Sequence, residues 1–268
     1  SSELECRHVL ARRAGVLGKV HMEQLITGDF AANGEAYEPK TLVDGAYRQL
    51  RRDIIEGRHP PGTKLRVEHL KDEYEVGAGT LREALALLVS DSLVVAQGQR
   101  GFRVAPISLA DIEDITRTRV MLECEALRQS ITNGDEAWEG NLVSAFHLLT
   151  RAEEKLAGDL DGSVNEWEER NRVFHETLIG ACGSRWIRHF LAILYRQSER
   201  YRRISVLNRP VPQDVHEEHE QIFKAAIARD ADEACRLLSG HIWRAFHTVS
   251  AVPEFAQESA SRKVANGR

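Results

Sequence analysis

Four polar side chains in the second half of the chain occupy positions that helical periodicity assigns to the buried side. Asn171 and His175 share one apolar stripe, and His219 and His241 belong to two further stripes of the same kind. Three unpaired imidazoles are costly to bury, so a shared partner would account for all of them. Imidazole nitrogens suit Zn²⁺, Ni²⁺ and other first-row divalent ions. The pattern therefore predicts a metal site, and the alternative is that each histidine is an ordinary hydrogen-bonded core residue.

A second set of residues has the types and spacing expected for DNA contact. Residues 79–91 place leucine and alanine along one face of a helix, so that the opposite face begins with Thr80 and Arg82. Gly77 and Gly79 leave the backbone bare at the start of this helix. A short amphipathic helix with a cation near its start fits a DNA major groove.

The residues that follow predict a β-hairpin. Segments 93–96 and 102–104 are joined by a glycine-containing turn, with Arg100 and Gly101 near its tip. A helix followed by such a hairpin is typical of a winged helix-turn-helix, whose wing lies over the DNA backbone or the minor groove. The predicted DNA contacts are Gly77, Gly79, Thr80, Arg82, Arg100 and Gly101.

Length and composition bound the class of protein. The chain has 268 residues, of which 42% are hydrophobic, and a formal net charge of −5. This length accommodates two domains of ordinary size. No apolar run approaches the roughly 20 residues that span a bilayer, and no secretory signal is recognisable. The four cysteines are scattered without a CxxC pair. We therefore expect a cytoplasmic protein without a membrane partner.

Helical periodicity predicts a mainly α protein with an N-terminal winged helix-turn-helix and a C-terminal all-helical bundle. The predicted helices cover residues 42–56, 67–74, 79–91, 108–132, 135–157, 163–181, 185–205, 213–228 and 230–250. The predicted domains are a flexible N-terminal segment at 1–40, the winged helix-turn-helix at 41–105, the bundle at 106–250 and a flexible C-terminal tail at 251–268. A loop is expected over 158–162, between the second and third bundle helices.

Several motifs resemble those of the GntR family of bacterial transcription regulators. In residues 41–105 they are Pro60-Pro61-Gly62-Thr63-Lys64-Leu65, Leu81-Arg82-Glu83-Ala84-Leu85 and Gly98-Gln99-Arg100-Gly101-Phe102. Residues 106–250 resemble the family's FCD (FadR C-terminal) effector domain through Arg119-Val120-Met121-Leu122-Glu123, Asn171-Arg172-Val173-Phe174-His175, His219 and His241. Residues 74–85 and 181–184 are similar to the CsiR branch, whose effectors are small dicarboxylates.

The resemblance implies a metal centre in the bundle. It carries over His175, His219 and His241 as ligands of a divalent metal ion, Zn²⁺ or Ni²⁺. The family's fourth ligand, an aspartate one turn before the first histidine, is replaced here by Asn171. Because an amide oxygen is neutral, we expect weaker metal binding, or a site that is completed by an anionic effector.

Five further residues are candidates for an effector pocket. Arg119 and Glu123 lie one helical turn apart and form either an exposed pair or an inward-facing one. The resemblance favours the inward position, in which Arg119 would bind an effector carboxylate through two hydrogen bonds. Arg172, Tyr195 and Arg202 are also predicted to line the pocket, although the arginine-rich run around Arg202 could equally be a solvated face.

One departure from the family's motif concerns DNA recognition. Where many relatives carry Ser-Arg-Thr-Pro, this chain has Gly77-Ala78-Gly79-Thr80. The missing arginine would contact guanine through two hydrogen bonds, worth about 1–3 kcal/mol of discrimination. We therefore expect base contacts from Thr80 and the glycine backbone, while Arg82 and Arg100 contact phosphates.

These observations predict a DNA-binding transcription repressor controlled by a small carboxylate. Two copies would bind two half-sites of operator DNA as a homodimer at the bacterial nucleoid, and the effector would shift the dimer toward a form that releases the DNA. One alternative is a metal-dependent hydrolase that uses the three histidines, which leaves residues 41–105 without a role. A second alternative is a DNA-binding protein whose bundle serves only for dimerisation.

Overall fold

The structure, a computed structural model, describes residues 41–208, 214–253 and 255. Within these residues it contains nine α-helices and three short strands, which confirms the mainly α class. The flexible segment predicted over 1–40 and most of the predicted tail lie outside the described residues. No helix in the described part of the chain has the length and apolar character needed to cross a membrane.

The N-terminal domain is built on three helices. They are α1 Leu42–Ile55, α2 Val67–Glu73 and α3 Ala78–Ser90. The Thr41 side chain caps α1 by accepting a hydrogen bond from the amide of Asp44. The periodic apolar residues of these helices are buried in one core, which includes Leu50, Ile54, Leu70, Leu81, Leu85, Leu88 and Leu93.

Three antiparallel strands form the wing. They are β1 Lys64–Leu65, β2 Val94–Ala96 and β3 Phe102–Val104, in the order β1-β3-β2. The predicted hairpin is confirmed, and the structure adds β1, whose two residues are too few for an alternating pattern. The tip is a 3-10 turn at Gly98–Arg100, followed by Gly101 at φ +86°, a backbone region that favours glycine.

Six helices form the C-terminal bundle. They are α4 Leu109–Asn133, α5 Glu136–Gly158, α6 Leu160–Leu178, α7 Arg185–Asn208, α8 Val215–Ile227 and α9 Ala231–Ser250. The loop predicted over 158–162 is wrong, because only Asp159 separates α5 from α6. The Asp159 carboxylate accepts a hydrogen bond from the amide of Gly162 and so caps α6.

The last described residues pack against the start of the bundle. Val252 and Phe255 are buried beside Leu109, Tyr201 and Val249 in an apolar cluster of their own. The prediction of a flexible tail from residue 251 onward does not describe Val252 and Phe255, whose apolar side chains complete this cluster.

Replacing Phe255 by alanine should destabilise the bundle. The Phe255 side chain is 3% exposed, and truncation of a buried phenylalanine typically costs about 3–5 kcal/mol. We expect Phe255→Ala to melt several degrees below the wild type and to unfold at a lower guanidinium concentration. The control is Leu42→Ala, at a residue that is 73% exposed. Equal melting temperatures for the two variants would contradict the packed position of Phe255.

Candidate metal centre and effector pocket

Three histidine rings from three helices meet inside the bundle. His175 lies on α6, His219 on α8 and His241 on α9. The ring centroid of His175 lies 5.6 Å from that of His219 and 5.2 Å from that of His241. The centroids of His219 and His241 are 4.6 Å apart. One nitrogen of each ring lies within 4.8 Å of the others. The predicted stripes thus bring three imidazole nitrogens to one place, as a metal site requires.

Two carboxylates orient two of these rings. Oε1 of Glu153 on α5 is hydrogen-bonded to Nδ1 of His219 at 2.7 Å, and Oε2 of Glu218 on α8 is hydrogen-bonded to Nδ1 of His241 at 2.7 Å. Because Nδ1 is engaged, Nε2 is the atom of each ring that remains for a ligand. A carboxylate in this position fixes the ring and raises the basicity of the coordinating nitrogen.

Two nitrogen atoms at the centre are buried without a hydrogen-bond partner among the described residues. They are Nε2 of His219 and Nδ1 of His175. Oε2 of Glu123 lies 3.8 Å from Nδ1 of His175, which is too far for a hydrogen bond. An unsatisfied buried nitrogen costs about 1–3 kcal/mol. The donor set and its orphaned nitrogens therefore fit a divalent cation.

Burial favours the neutral form of His175 and His241 by lowering their pKa values. It lowers the pKa of His175 and of His241 well below the usual value, and the neighbouring imidazoles together with Arg119 and Arg202 lower it further. Neutral imidazole is the form that binds a metal ion. Asn171 is also buried and lines the cavity beside the histidines.

The cavity adjoining the histidines has a cationic and apolar lining. It encloses about 710 Å³ of space between atoms when the solvent at its open mouth is included. Three arginines line it, namely Arg119, Arg202 and Arg244, together with apolar side chains such as Trp167 and Ile242. This lining suits a small anion.

Arg119 and Glu123 face inward, and the alternative of an exposed pair is wrong. Nε of Arg119 donates a hydrogen bond to Oε1 of Glu123 at 2.7 Å, and both residues are buried. The Arg119 guanidinium also lies over the Tyr195 ring, 4.3 Å from its centroid. Tyr195 therefore supports Arg119 but is not itself part of the cavity lining.

Of the two other arginines predicted to line the pocket, the structure brings one to the cavity. Arg202 lines it and donates to the buried Glu168 at 2.7 Å. Arg172 instead bonds to Glu169 and Glu176, each at 2.6 Å, and is not part of the lining. The prediction for Arg172 is corrected accordingly, because its side chain leaves α6 on the face that carries these two glutamates.

Sequence reasoning missed several charged residues that organise the site. Glu153, Glu168 and Glu218 lie in charged runs that resemble solvated helix faces. Oε2 of Glu153 also bonds Nδ1 of His216 at 2.7 Å, so one carboxylate joins a partly exposed histidine to a buried one. Arg244 pairs with Glu218 at the cavity. In the sequence, the position of Glu218 directly before His219 is the feature that could have indicated a glutamate at the site.

The predicted DNA contacts are accessible on α3 and the wing. Gly77, Gly79, Arg82 and Arg100 are exposed, and Thr80 and Gly101 are half-buried. The structure adds two exposed cations that the sequence reasoning missed, Lys64 on β1 and Arg66 directly after it. They were missed because β1 itself was not predicted. Exposed cations on a wing can neutralise phosphates of the DNA backbone.

Helix α7 joins the bundle to Asp91, the residue that ends α3. The Asp91 carboxylate accepts hydrogen bonds from Arg196 at 2.9 Å and from the Tyr47 hydroxyl. The Asp91 carbonyl accepts one from the Gln197 amide at 2.7 Å. The end of α3 is thus bonded directly to the C-terminal bundle.

The same helix contacts the arginine-lined cavity on another side. Arg200 is buried and donates to the carbonyl of Ala105 at 2.7 Å, at the junction of the domains. Tyr195 and Arg202, seven residues apart, lie at the pocket side. Successive residues of a helix turn by about 100°, which separates these two sets of contacts around the axis. The alternative that this arginine-rich run is a solvated face is wrong.

Both domains match known protein families. Residues 42–104 match the family described as bacterial regulatory proteins, gntR family, and residues 114–244 match the FCD domain. The order of the two matches is the order of the two domains in the structure.

Two relatives align with most of the chain. The HTH-type transcriptional regulator BphR of Paraburkholderia xenovorans strain LB400 is 49% identical over 203 residues, which cover 76% of this chain and 83% of BphR. The HTH-type transcriptional repressor GlaR of Escherichia coli strain K12 is 34% identical over 206 residues, which cover 75% of this chain and 92% of GlaR.

Solved structures share the fold. E. coli McbR/YncC superimposes with a TM-score of 0.65 at 20% identity, covering 78% of this chain and 97% of McbR. A GntR regulator from Rhodococcus sp. RHA1 superimposes with a TM-score of 0.63 at 20% identity, covering 78% of this chain and 98% of the Rhodococcus chain. At this identity the likeness concerns the fold alone. From the two family matches and the identity to BphR and GlaR, the chain belongs to the GntR family of bacterial transcription regulators, with an FCD domain after its DNA-binding domain.

Proposed function

We propose that this DNA-binding regulator is a repressor whose operator affinity is controlled by a small carboxylate bound beside a divalent metal ion. The observation that carries the proposal is the pair of buried, unpartnered imidazole nitrogens next to an arginine-lined cavity. The name of the relative GlaR as a repressor supports the same direction of regulation.

His175, His219 and His241 would hold the ion, and Asn171 is the candidate fourth ligand. Zn²⁺ or Ni²⁺ suits three imidazoles. When bound, the ion would supply a positive charge, and a carboxylate oxygen of the effector could coordinate it directly. The glutamates hydrogen-bonded to two of the rings keep the ligand nitrogens directed at the shared point.

The arginines favour a carboxylate as the effector. Arg119 and Arg202 line one cavity, and each is already paired with one buried glutamate. A guanidinium has five N–H donors, so the pairing leaves donors for a second carboxylate. Arg119 and Arg202 lie on other helices than the three histidines that would hold the ion, so a small dicarboxylate would satisfy both sets better than a monocarboxylate.

Two copies of the chain would bind the operator as a homodimer. One winged helix-turn-helix contacts one half-site, and a two-fold pair places two recognition helices about one DNA turn apart. Met121 on α4 and Trp186 and Phe190 on α7 are large apolar side chains that remain exposed on the bundle. A second bundle is the partner that we propose for them.

The alternative of a metal-dependent hydrolase has no structural support. Hydrolysis at the histidines would need a general base beside the bound water. Glu153 and Glu218 are instead each engaged with an imidazole of the centre. The relatives, moreover, are transcription regulators.

Loss of one histidine should abolish metal binding. We expect the wild-type chain to bind about one Zn²⁺ or Ni²⁺ through its three imidazoles. Its melting temperature should rise with the ion, because a ligand specific for the folded state stabilises it. His219→Ala should lose both effects in elemental analysis and thermal-shift assays, whereas His147→Ala, at an exposed histidine of α5, should keep them. Equal metal contents in the two variants would exclude the three-histidine site.

Arg82→Ala should weaken operator binding and reduce its salt dependence. One neutralised phosphate contributes a slope of about −0.9 to log affinity against log salt, so the slope should decrease by about one unit. Fluorescence anisotropy over a range of salt, on duplexes selected from a random library, measures this. Arg236→Ala, at an exposed arginine of α9 that pairs with Glu233, is the control. An unchanged slope for Arg82→Ala would rule out its phosphate contact.

Arg196→Gln should weaken the coupling between effector and DNA while leaving the pocket intact. The probe is the dicarboxylate that gives the largest thermal shift in a screen that includes succinate. In the metal-loaded wild type it should lower operator affinity by about 5–150-fold, the usual range of allosteric coupling. The factor should be clearly smaller for Arg196→Gln and unchanged for Arg203→Gln, which lies on the same helix but pairs with Glu199. A full response of Arg196→Gln would refute the route through Asp91.

A further inference from the structure

Two cysteines face each other where α4 packs against α9. Cys124 lies on α4, and Cys235 lies on α9. The Cys124 Sγ is 3.5 Å from the carbonyl oxygen of Cys235, and the Cys235 Sγ is 3.3 Å from the carbonyl oxygen of Cys124. These reciprocal contacts hold the two thiols side by side on neighbouring helices.

The two thiols differ in exposure and acidity. Cys235 is buried, whereas Cys124 is only half-buried. The neighbouring Cys124 thiol and the Arg128 guanidinium lower the pKa of Cys235 against the effect of burial. The Cys235 thiol and burial raise the pKa of Cys124. The pair thus places a sulfur that solvent can reach beside a buried second sulfur that can resolve it, the arrangement typical of redox-sensing cysteines.

We propose that Cys124 and Cys235 form a redox-sensitive dithiol, which hydrogen peroxide oxidises to a disulfide between α4 and α9. In a reducing compartment a disulfide of this kind is transient and suits sensing. This dithiol shares no residue with the candidate metal centre or the cavity lining, so a test of it does not depend on the proposed effector.

The oxidation balances with peroxide as the oxidant. A thiolate of the pair attacks one peroxide oxygen, an S–O bond forms, the O–O bond breaks, and the departing hydroxide is protonated to water. The second thiol then attacks the sulfenic acid sulfur, an S–S bond forms, the S–O bond breaks, and a second water leaves. The two thiols lose two protons and two electrons, and one peroxide is reduced to two waters.

The disulfide would join two helices that both contribute to the effector pocket. Arg119 belongs to α4 and His241 to α9, and both line the cavity. The disulfide requires each sulfur to rotate about its Cα–Cβ bond, away from the opposite carbonyl and toward the opposite sulfur. Oxidation would therefore restrict the relative movement of two walls of the pocket.

The experiment uses the full chain with Cys6→Ser, which removes a thiol outside the described residues. After treatment with hydrogen peroxide we expect an intact mass lower by two hydrogen atoms and a digest peptide that links the Cys124 and Cys235 segments. Dithiothreitol should restore the starting mass. The oxidised chain should melt at a higher temperature, because the bond restricts the unfolded state.

Matched variants separate this pair from the third described cysteine. Cys124→Ser and Cys235→Ala should each abolish the loss of two hydrogens, whereas Cys182→Ser, at a buried thiol bonded to Gln129, should retain it. Cys124→Ser, at the more exposed position, decides the question if Cys235→Ala folds poorly. An unchanged mass, a gain of oxygen atoms without a linked peptide, or a disulfide between two chains would overturn the proposal.

Discussion

The structure depends on how polar groups are buried inside the C-terminal bundle. An unsatisfied polar atom there costs about 1–3 kcal/mol, whereas a whole domain is stable by only about 5–15 kcal/mol. The bundle meets this constraint at the buried Arg119 and the partly buried Arg202 by pairing each with a buried glutamate. It does not meet it at His175 and His219, each of which keeps one nitrogen without a partner among the described residues. The cost of two such atoms is a substantial fraction of the free energy of unfolding of a domain. A ligand that bonds to both nitrogens would explain why they are buried.

The same constraint makes α7 a connection between the domains. Its pocket side supports the buried Arg119 through the Tyr195 ring, and its other contacts reach Asp91 at the carboxyl end of α3. The carboxyl end of a helix carries partial negative charge, so the Arg196 guanidinium is favourable there as well as toward the Asp91 carboxylate. Because α7 is one continuous helix of 24 residues, we propose that a displacement at the pocket would be transmitted to these contacts. The orientation of α3 would then depend on what the pocket contains.

Periodicity predicted those features that depend on which residues share a helix face. It located the helices of both domains to within a few residues and placed His175, His219 and His241 on inward stripes. It could not identify Glu153 as the partner of His219, because the two residues are distant in sequence and a glutamate in a charged run resembles a solvated residue. Strand β1 was missed for a different reason, since two residues carry no measurable alternation. The error at Arg172 arose because its glutamate partners, on its own helix, hold the side chain away from the cavity.

Charge at the metal centre gives the asparagine at position 171 a physical meaning. Imidazole is a neutral ligand, so a divalent ion held by three of them and by the Asn171 amide would keep its full charge at the ligand atoms. An aspartate at this position would remove one unit of that charge and strengthen binding of the ion alone. With Asn171, the proposed ion would bind less tightly by itself but would attract a carboxylate more strongly. Metal and effector would then each raise the affinity of the other by the same factor, as linkage requires. A centre of this composition would respond to its effector more strongly when the ion is present, which would make the ion part of the regulatory input.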